Sequence, residues 1–152
     1  MRKRLPDSGL YRTTKPYPGP EAVIPSNAIV YVGVGSTGVH FVVRPTERVR
    51  NRWVWTEPVV LLRSVTWPDT LRPLPQEGFY LLPDTLEVGG ARWLRGSLVQ
   101  LGFDETGRGL LWIGEDRDDE PRSTLVFGQD GMRIDDMLLE RLVWVPVLAA
   151  KR

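Results

Sequence analysis

The chain has no cysteine and only one histidine, His40. Without cysteine it can form no disulfide, thiolate metal site or cysteine nucleophile. A serine–histidine–aspartate triad would have to use His40, which lies inside a predicted strand with no nucleophile elbow nearby. The sequence therefore predicts no catalytic, cofactor-binding or metal-binding residues, and a protein that is not an enzyme.

An excess of charge of one sign is also lacking. The 20 Lys and Arg residues are balanced by 19 Asp and Glu residues, so the net charge is +1. The whole protein therefore has no strong field that would concentrate nucleic acid or anionic lipid around it. Only local charged patches remain as candidate sites for such partners.

Long apolar runs are missing as well. Residues 22–43 carry no charge, but Pro25 and three glycines interrupt them, which favours strand–turn–strand over a membrane helix. Near the start, Pro6, Asp7 and Ser8 break the apolar run that a signal peptide needs. We expect a protein that is neither membrane-bound nor secreted.

Lysine and side-chain amides are scarce. Arginine outnumbers lysine 17 to 3, and Asn and Gln together number five. Proteins of heat-loving organisms share this bias toward fewer thermolabile side chains and stiffer, proline-containing loops. High genomic GC content would also raise Arg, Gly and Pro, and the scarce amides favour a thermophilic source over that alternative.

Short apolar segments separated by turn residues fill most of the chain. They are rich in β-branched and aromatic residues, and turn residues recur at the spacing of an all-β barrel or sandwich. One segment, residues 135–142, begins with acidic residues and places its apolar residues on one side, which predicts a short helix. We predict a single small barrel or sandwich of mostly antiparallel strands, with one short C-terminal helix.

The first 25 residues are proline-rich and predict an extended arm ahead of a β-rich globular domain at 26–152. Each proline fixes its own φ and favours extended geometry in the residue before it. An extended, preorganised arm loses little entropy on binding and is suited to clamping another protein. The candidate partner-binding residues are Tyr11, Lys15, Pro16, Tyr17, Pro18, Pro20, Val23 and Ile24. As a clamp, the arm would leave the core folded when residues 1–21 are removed, whereas unfolding on that deletion would identify it as a core strand.

The sequence GVGSTG matches the G-x-G-x-x-G pattern of dinucleotide sites through Gly33, Gly35 and Gly38. Such a site needs a helix to begin at the last glycine, because the pyrophosphate binds at the helix N-terminus. The strand-forming sequence VHFVV follows instead. We predict that these glycines belong to a β-hairpin.

Two charged features are candidates for contacts. Four arginines of equal strand parity would form a basic ridge beside aromatic residues: Arg44, Arg48, Arg50 and Arg52. Such a ridge suits single-stranded nucleic acid. It would equally meet an acidic loop, Asp116, Asp118 and Asp119, of a neighbouring copy in a closed ring. That loop lacks the glycine and the final glutamate of a calcium loop, so we interpret it as solvated.

The order of these parts resembles the capsid decoration (cementing) proteins of tailed bacteriophages. The likeness consists of an arm, YRTTKPYPGPEAVIP, a first hairpin, NAIVYVGVGSTGVHFVV, and a mostly β domain without cysteine or a catalytic set. It implies a homotrimer on the capsid exterior, with the arm reaching over capsid protein subunits; otherwise we expect a cytoplasmic protein. The alternatives are a small β-barrel that binds single-stranded nucleic acid, and a small enzyme whose paired carboxylates the sequence does not identify.

Overall fold

The computed structural model describes residues 4–49, 52–55, 60–88, 90–115, 126–127 and 131–146. The chain divides into two compact units, Met1–Gln76 with Asp104–Gly107, and Glu77–Phe103 with Arg108–Arg152. This division differs from the predicted arm of residues 1–25 and single domain at 26–152. No helix in the described ranges has the length and apolar content that crossing a bilayer requires.

The first unit is built on a five-stranded antiparallel sheet with the order β6-β3-β2-β1-β7. A separate hairpin pairs β4 with β5. The strands are β1 (Gly9–Arg12), β2 (Ile29–Val34), β3 (His40–Val43), β4 (Pro45–Val49), β5 (Arg52–Trp55), β6 (Val60–Leu62) and β7 (Arg72–Pro73), and a short 3₁₀ helix, Pro68–Thr70, lies between β6 and β7 in the chain. Its core is Tyr11, Ile24, Val30, Val32, Val42, Val60, Leu62, Trp67 and Leu71.

Strand β1 lies where the sequence predicted a free arm. It pairs with β2 on one side and with β7 on the other, so it is an interior strand of the sheet. Tyr11 is only 9% exposed, and its hydroxyl donates to the Asp7 carbonyl at 2.7 Å. The backbone groups of β1 and the side chain of Tyr11 are therefore used within the chain's own sheet and core.

The segment between β1 and β2, residues 14–26, forms a closed loop that we call the proline loop. Its base is held by Thr13, which is fully buried. The Thr13 hydroxyl donates to the Pro25 carbonyl at 2.6 Å and accepts from the Ala28 amide at 3.0 Å. The backbone of Thr13 also exchanges hydrogen bonds with Asn27 and Ala28. A single side chain therefore joins the two ends of the loop, as in a compact Ω-loop.

The proline loop is also anchored to the core by its own apolar residue. Ile24 is 2% exposed, and burying such a side chain contributes roughly 1.5–3 kcal/mol. Farther out, the Tyr17 amide donates to the Ile24 carbonyl at 2.9 Å, and the Thr14 hydroxyl donates to the Thr70 carbonyl at 2.5 Å. These contacts fix the loop against its own unit.

The second unit is built on a six-stranded antiparallel sheet in which β13, β12, β11, β8 and β15 follow one another and β14 also pairs with β12. A separate hairpin pairs β9 with β10. The strands are β8 (Gly78–Leu81), β9 (Leu86–Val88), β10 (Ala91–Trp93), β11 (Leu98–Phe103), β12 (Gly109–Glu115), β13 (Val126–Phe127), β14 (Met132–Arg133) and β15 (Val143–Val145).

The predicted C-terminal helix is confirmed as α1 (Asp136–Arg141). Asp135 caps it by accepting from the Leu138 amide at 2.8 Å, and Arg141 in its last turn pairs with Asp84. Leu139 is buried and packs close to Gly109 of β12, where an added Cβ would lie 3.3 Å from a Leu139 methyl group. The acidic start is as the sequence predicted, but the residue buried in the core is Leu139, whereas Met137, which was expected on the buried side, is 74% exposed.

The all-β class with antiparallel strands is confirmed. Both large sheets are open, with separate first and last strands, so the described residues do not close into the barrel that was one of the two predicted architectures. The sequence did not predict β1, β4 or β7. β4 and β7 contain Pro45 and Pro73, β1 contains no proline, and all three become strands because neighbouring strands satisfy their backbone groups.

Removing residues 1–21 is expected to unfold the first unit, the opposite of what a free arm predicts. The deletion takes out an interior strand and leaves β2 and β7 without their shared neighbour. Near-ultraviolet circular dichroism and hydrogen exchange of Ile29–Val34 measure the effect. As a control, Pro18→Ala alters the exposed loop and should leave the unit folded; a cooperatively folded deletion variant would contradict the assignment of β1.

Thr13→Val is expected to lower the free energy of unfolding by about 1–3 kcal/mol, because it leaves the buried Ala28 amide without the side-chain oxygen and removes the donor to Pro25. Urea denaturation measures the change. Thr37→Val, in the exposed turn between β2 and β3, is the matched control and should change stability by less than about 0.5 kcal/mol. Equal effects at the two positions would show that Thr13 does not hold the loop.

Candidate functional site

A groove lies between the proline loop and the segment that follows β6. Residues 15–19 and 21 form one wall, and residues 61–64, 66–68 and 70 form the other. Its volume is about 510 Å³, within the usual range of binding pockets. We call it the Tyr17–Trp67 groove. Of the eight predicted arm residues, it contains Lys15, Pro16, Tyr17 and Pro18.

The two aromatic residues of the groove brace the loop. The rings of Tyr17 and Trp67 meet edge to face, with centroids 5.0 Å apart. Trp67 is 6% exposed, and its indole N–H donates to the Lys15 carbonyl at 2.9 Å. The indole N–H of Trp67 is therefore hydrogen-bonded within the protein, and most of the surface of its ring is buried. Together with Tyr17 it gives the groove a rigid apolar base.

Tyr17 is further fixed by Glu21 across Gly19. A Cβ on Gly19 would lie 2.8 Å from the Tyr17 hydroxyl and 2.1 Å from a Glu21 carboxylate oxygen, so a side chain at position 19 would have to displace these groups. Partial burial raises the pKa of Tyr17 above its usual 10.0, and the hydrogen bond and negative charge of Glu21 raise the pKa further. The Glu21 carboxylate is thereby engaged by the loop itself.

Two exposed cations stand at the groove, Lys15 on the loop and Arg63 just after β6. In the part of the chain that the structure describes, neither side chain forms an ion pair or a hydrogen bond. Long basic side chains on an apolar rim bind anionic groups without first breaking an internal pair. The groove therefore combines an apolar base with unpaired positive charge.

Of the four other predicted arm residues, two are buried and two are exposed. Tyr11 and Ile24 are core residues and are not available to a partner. Pro20 is exposed, and Val23 is 86% exposed at the outer part of the loop. The structure therefore brings half of the predicted set into the groove, leaves two residues on the loop surface and buries two.

Arg44 orients the exposed part of the loop. Its guanidinium Nη1 donates to the Val23 carbonyl at 2.7 Å. Val23 is consequently held at the surface by a charge-assisted hydrogen bond on one side and by the buried Ile24 on the other. The sequence grouped Arg44 with a binding ridge, whereas the structure uses it to position the proline loop.

The predicted basic ridge is not a single strand. Arg48 is in β4 opposite Trp53, and Arg52 is in β5 opposite Val49, so the chain reverses between them. Equal parity along one continuous strand was the basis of the prediction, and the reversal removes it. Arg50 and the acidic loop residues Asp116, Asp118 and Asp119 lie outside the described residues.

The glycine-rich motif forms the β2–β3 hairpin, as predicted. Gly35 and Gly38 close the turn through backbone hydrogen bonds, and Gly38 has a φ of +80°. Gly33 lies opposite Phe41, and a Cβ there would be 2.4 Å from the Phe41 ring. The aromatic ring covers the glycine backbone within the sheet, and a strand, not a helix, follows the last glycine.

His40 is a half-buried residue of β3, opposite Val34 and Leu62. Its Nδ1 has no hydrogen-bond partner among the described residues. Within those residues no group of three or more His, Asp or Glu side chains is placed to hold a metal ion.

The wall formed by Leu61, Arg63 and Trp67 was not predicted as part of a site. Nothing in its local pattern separates it from other exposed segments of a β-protein, since its role comes from facing the proline loop across about fifty positions of sequence. No protein-family model matches the chain, and no curated protein or solved structure matches it.

The raised pKa of Tyr17 predicts a loss of stability at alkaline pH. The folded state favours the neutral phenol, so its contribution is complete below the ordinary pKa of 10.0 and is lost as the pH rises through the higher folded-state pKa. Tyr17→Phe cannot ionise and should show a smaller alkaline decrease in the urea midpoint than the wild type. Tyr11 and Tyr80, whose pKa values are also raised by burial, remain in both proteins. Parallel curves for the two proteins would contradict the prediction.

Proposed function

We propose that the protein is a non-enzymatic binding protein that attaches to a larger protein assembly, and that the proline loop makes the contact. The observation that carries this proposal is the preformed loop, which holds Val23 86% exposed and also contributes residues 15–19 and 21 to a groove with an apolar base. Binding residues are found disproportionately on loops that a rigid scaffold holds in position.

The loop binds by a different route from the predicted free arm. Thr13, Ile24 and Arg44 fix it before any partner arrives. A surface that is ordered in advance loses little conformational entropy on association, which favours tight and specific contact. We therefore retain the proposal that the proline-rich segment binds another protein. The segment would bind as a rigid docking surface and not as an extended arm that wraps around its partner.

The specific assembly that we propose is the capsid of a tailed bacteriophage, on the basis of the chain layout described above. In this proposal the protein is a decoration protein seated as a homotrimer on the capsid exterior, and the proline loops of the trimer contact capsid protein. The exposed Val23 and the groove support the proposal that the partner is a protein. The order of chain segments supports the proposal that this protein is a phage capsid protein.

Co-sedimentation with expanded phage capsid shells that lack their own decoration protein tests the proposal. The wild type is expected to sediment with the shells, and Val23→Asp is expected to lose at least about tenfold in affinity, because it places a charge in an apolar contact. Val39→Asp is the matched control, since Val39 is 43% exposed in the β2–β3 turn and lies outside the loop. Equal loss in both variants, or no binding by the wild type, would contradict the proposal.

Light scattering at low and high salt measures the solution mass. A trimer that persists in high salt is expected for a decoration protein with an apolar subunit contact. A monomer at all protein concentrations would remove the homotrimer from the proposal.

A further inference from the structure

The Tyr17–Trp67 groove has positive charge that the protein does not neutralise. Lys15 and Arg63 stand on its two walls, and in the described part of the chain no carboxylate pairs with either of them. Glu21, the acid that lines the groove, is engaged by the Tyr17 hydroxyl. A ligand that places negative charge between the two walls would gain both cations without displacing an internal partner.

One wall of the groove is an edge strand. β6 pairs with β3 on one side and, within the described residues, with no strand on the other. The opposite edge of the same sheet is β7, where Pro73 removes a backbone donor and so discourages further strand pairing. β6 has no proline among its three residues, and Leu61 is 49% exposed. The edge beside the groove is therefore the one open to an extended chain.

Nucleic acid fits this groove less well than a peptide. Single-strand binders offer exposed aromatic faces on which bases stack. Trp67 is 6% exposed, and the Tyr17 ring is turned edge to face against it. A peptide that alternates apolar and acidic residues would place its apolar side chains on the base of the groove and its carboxylates near Lys15 and Arg63 at the same time.

We propose that the Tyr17–Trp67 groove binds an extended acidic segment of the partner protein, which runs beside β6 with its carboxylates on Lys15 and Arg63. This inference rests on the proposed function and adds the chemistry of the partner. Apolar side chains of the segment lie on the base formed by Tyr17 and Trp67, and its carboxylates lie at the two walls.

Fluorescence anisotropy with a labelled synthetic peptide that alternates glutamate and valine tests the inference. We expect wild-type protein to bind this peptide, to bind it more weakly at high salt, and not to bind a peptide that alternates lysine and valine. Lys15→Ala and Arg63→Ala should each weaken binding about two- to fivefold, the range for exposed ion pairs. The double variant Lys15→Glu/Arg63→Glu should abolish binding and keep the wild-type thermal midpoint, because both side chains are exposed.

Arg95→Glu is the matched control, since Arg95 is an exposed arginine of the second unit, and it should bind like the wild type. Equal affinity for the two peptides, or unchanged binding by the double variant, would overturn the inference. So would a labelled oligothymidine that binds where the acidic peptide does not and is lost in the double variant; that result would assign the groove to nucleic acid. If the peptide fails while Val23→Asp alone still abolishes co-sedimentation, only the groove inference fails, and the proposed function stands.

Discussion

The first unit depends on the closure of the proline loop by Thr13. This side chain is fully buried. Its hydroxyl donates to the Pro25 carbonyl and accepts from the Ala28 amide, at the end of the loop that leads into β2. A buried hydroxyl with two satisfied partners stabilises a structure, whereas the same group left unpaired would cost about 1–3 kcal/mol. Because the loop connects two neighbouring strands of the main sheet, its closure also sets where Gly9–Arg12 lies against Ile29–Val34.

The groove exists because the loop is closed. With its base fixed, the loop carries Tyr17 to the edge of the Trp67 ring and its Lys15 carbonyl to the indole N–H. Gly19 permits the close approach of Tyr17 and Glu21. The indole N–H and the Lys15 carbonyl satisfy each other, and the groove is left with an apolar base and with Lys15 and Arg63 at its walls. The candidate site is thus a consequence of satisfying the loop's own hydrogen bonds.

Some cationic side chains of this protein hold the fold together, and others are exposed and unpaired within the described residues. Arg44 holds the Val23 carbonyl and Arg141 pairs with Asp84, so both serve the fold. Lys15 and Arg63 have no such partner in the described ranges. Sequence spacing favoured Arg44 over Arg63 as a binding residue, because parity along a strand is visible in the sequence and the pairing state of a cation is not.

Local patterns in the sequence determined the all-β class, the hairpin at residues 28–43 and the short helix α1. Strand alternation, turn glycines and helix caps act over only a few residues, so a sequence shows them directly. Local patterns also determined that few backbone conformations are open to residues 15–25, since proline restricts its own and its neighbour's dihedral angles. Whether that segment projects outward or folds back was decided only by the tertiary structure. The deciding contacts join Lys15 to Trp67 and Thr14 to Thr70, and hydrogen bonds across more than fifty positions leave no periodic signal in the sequence.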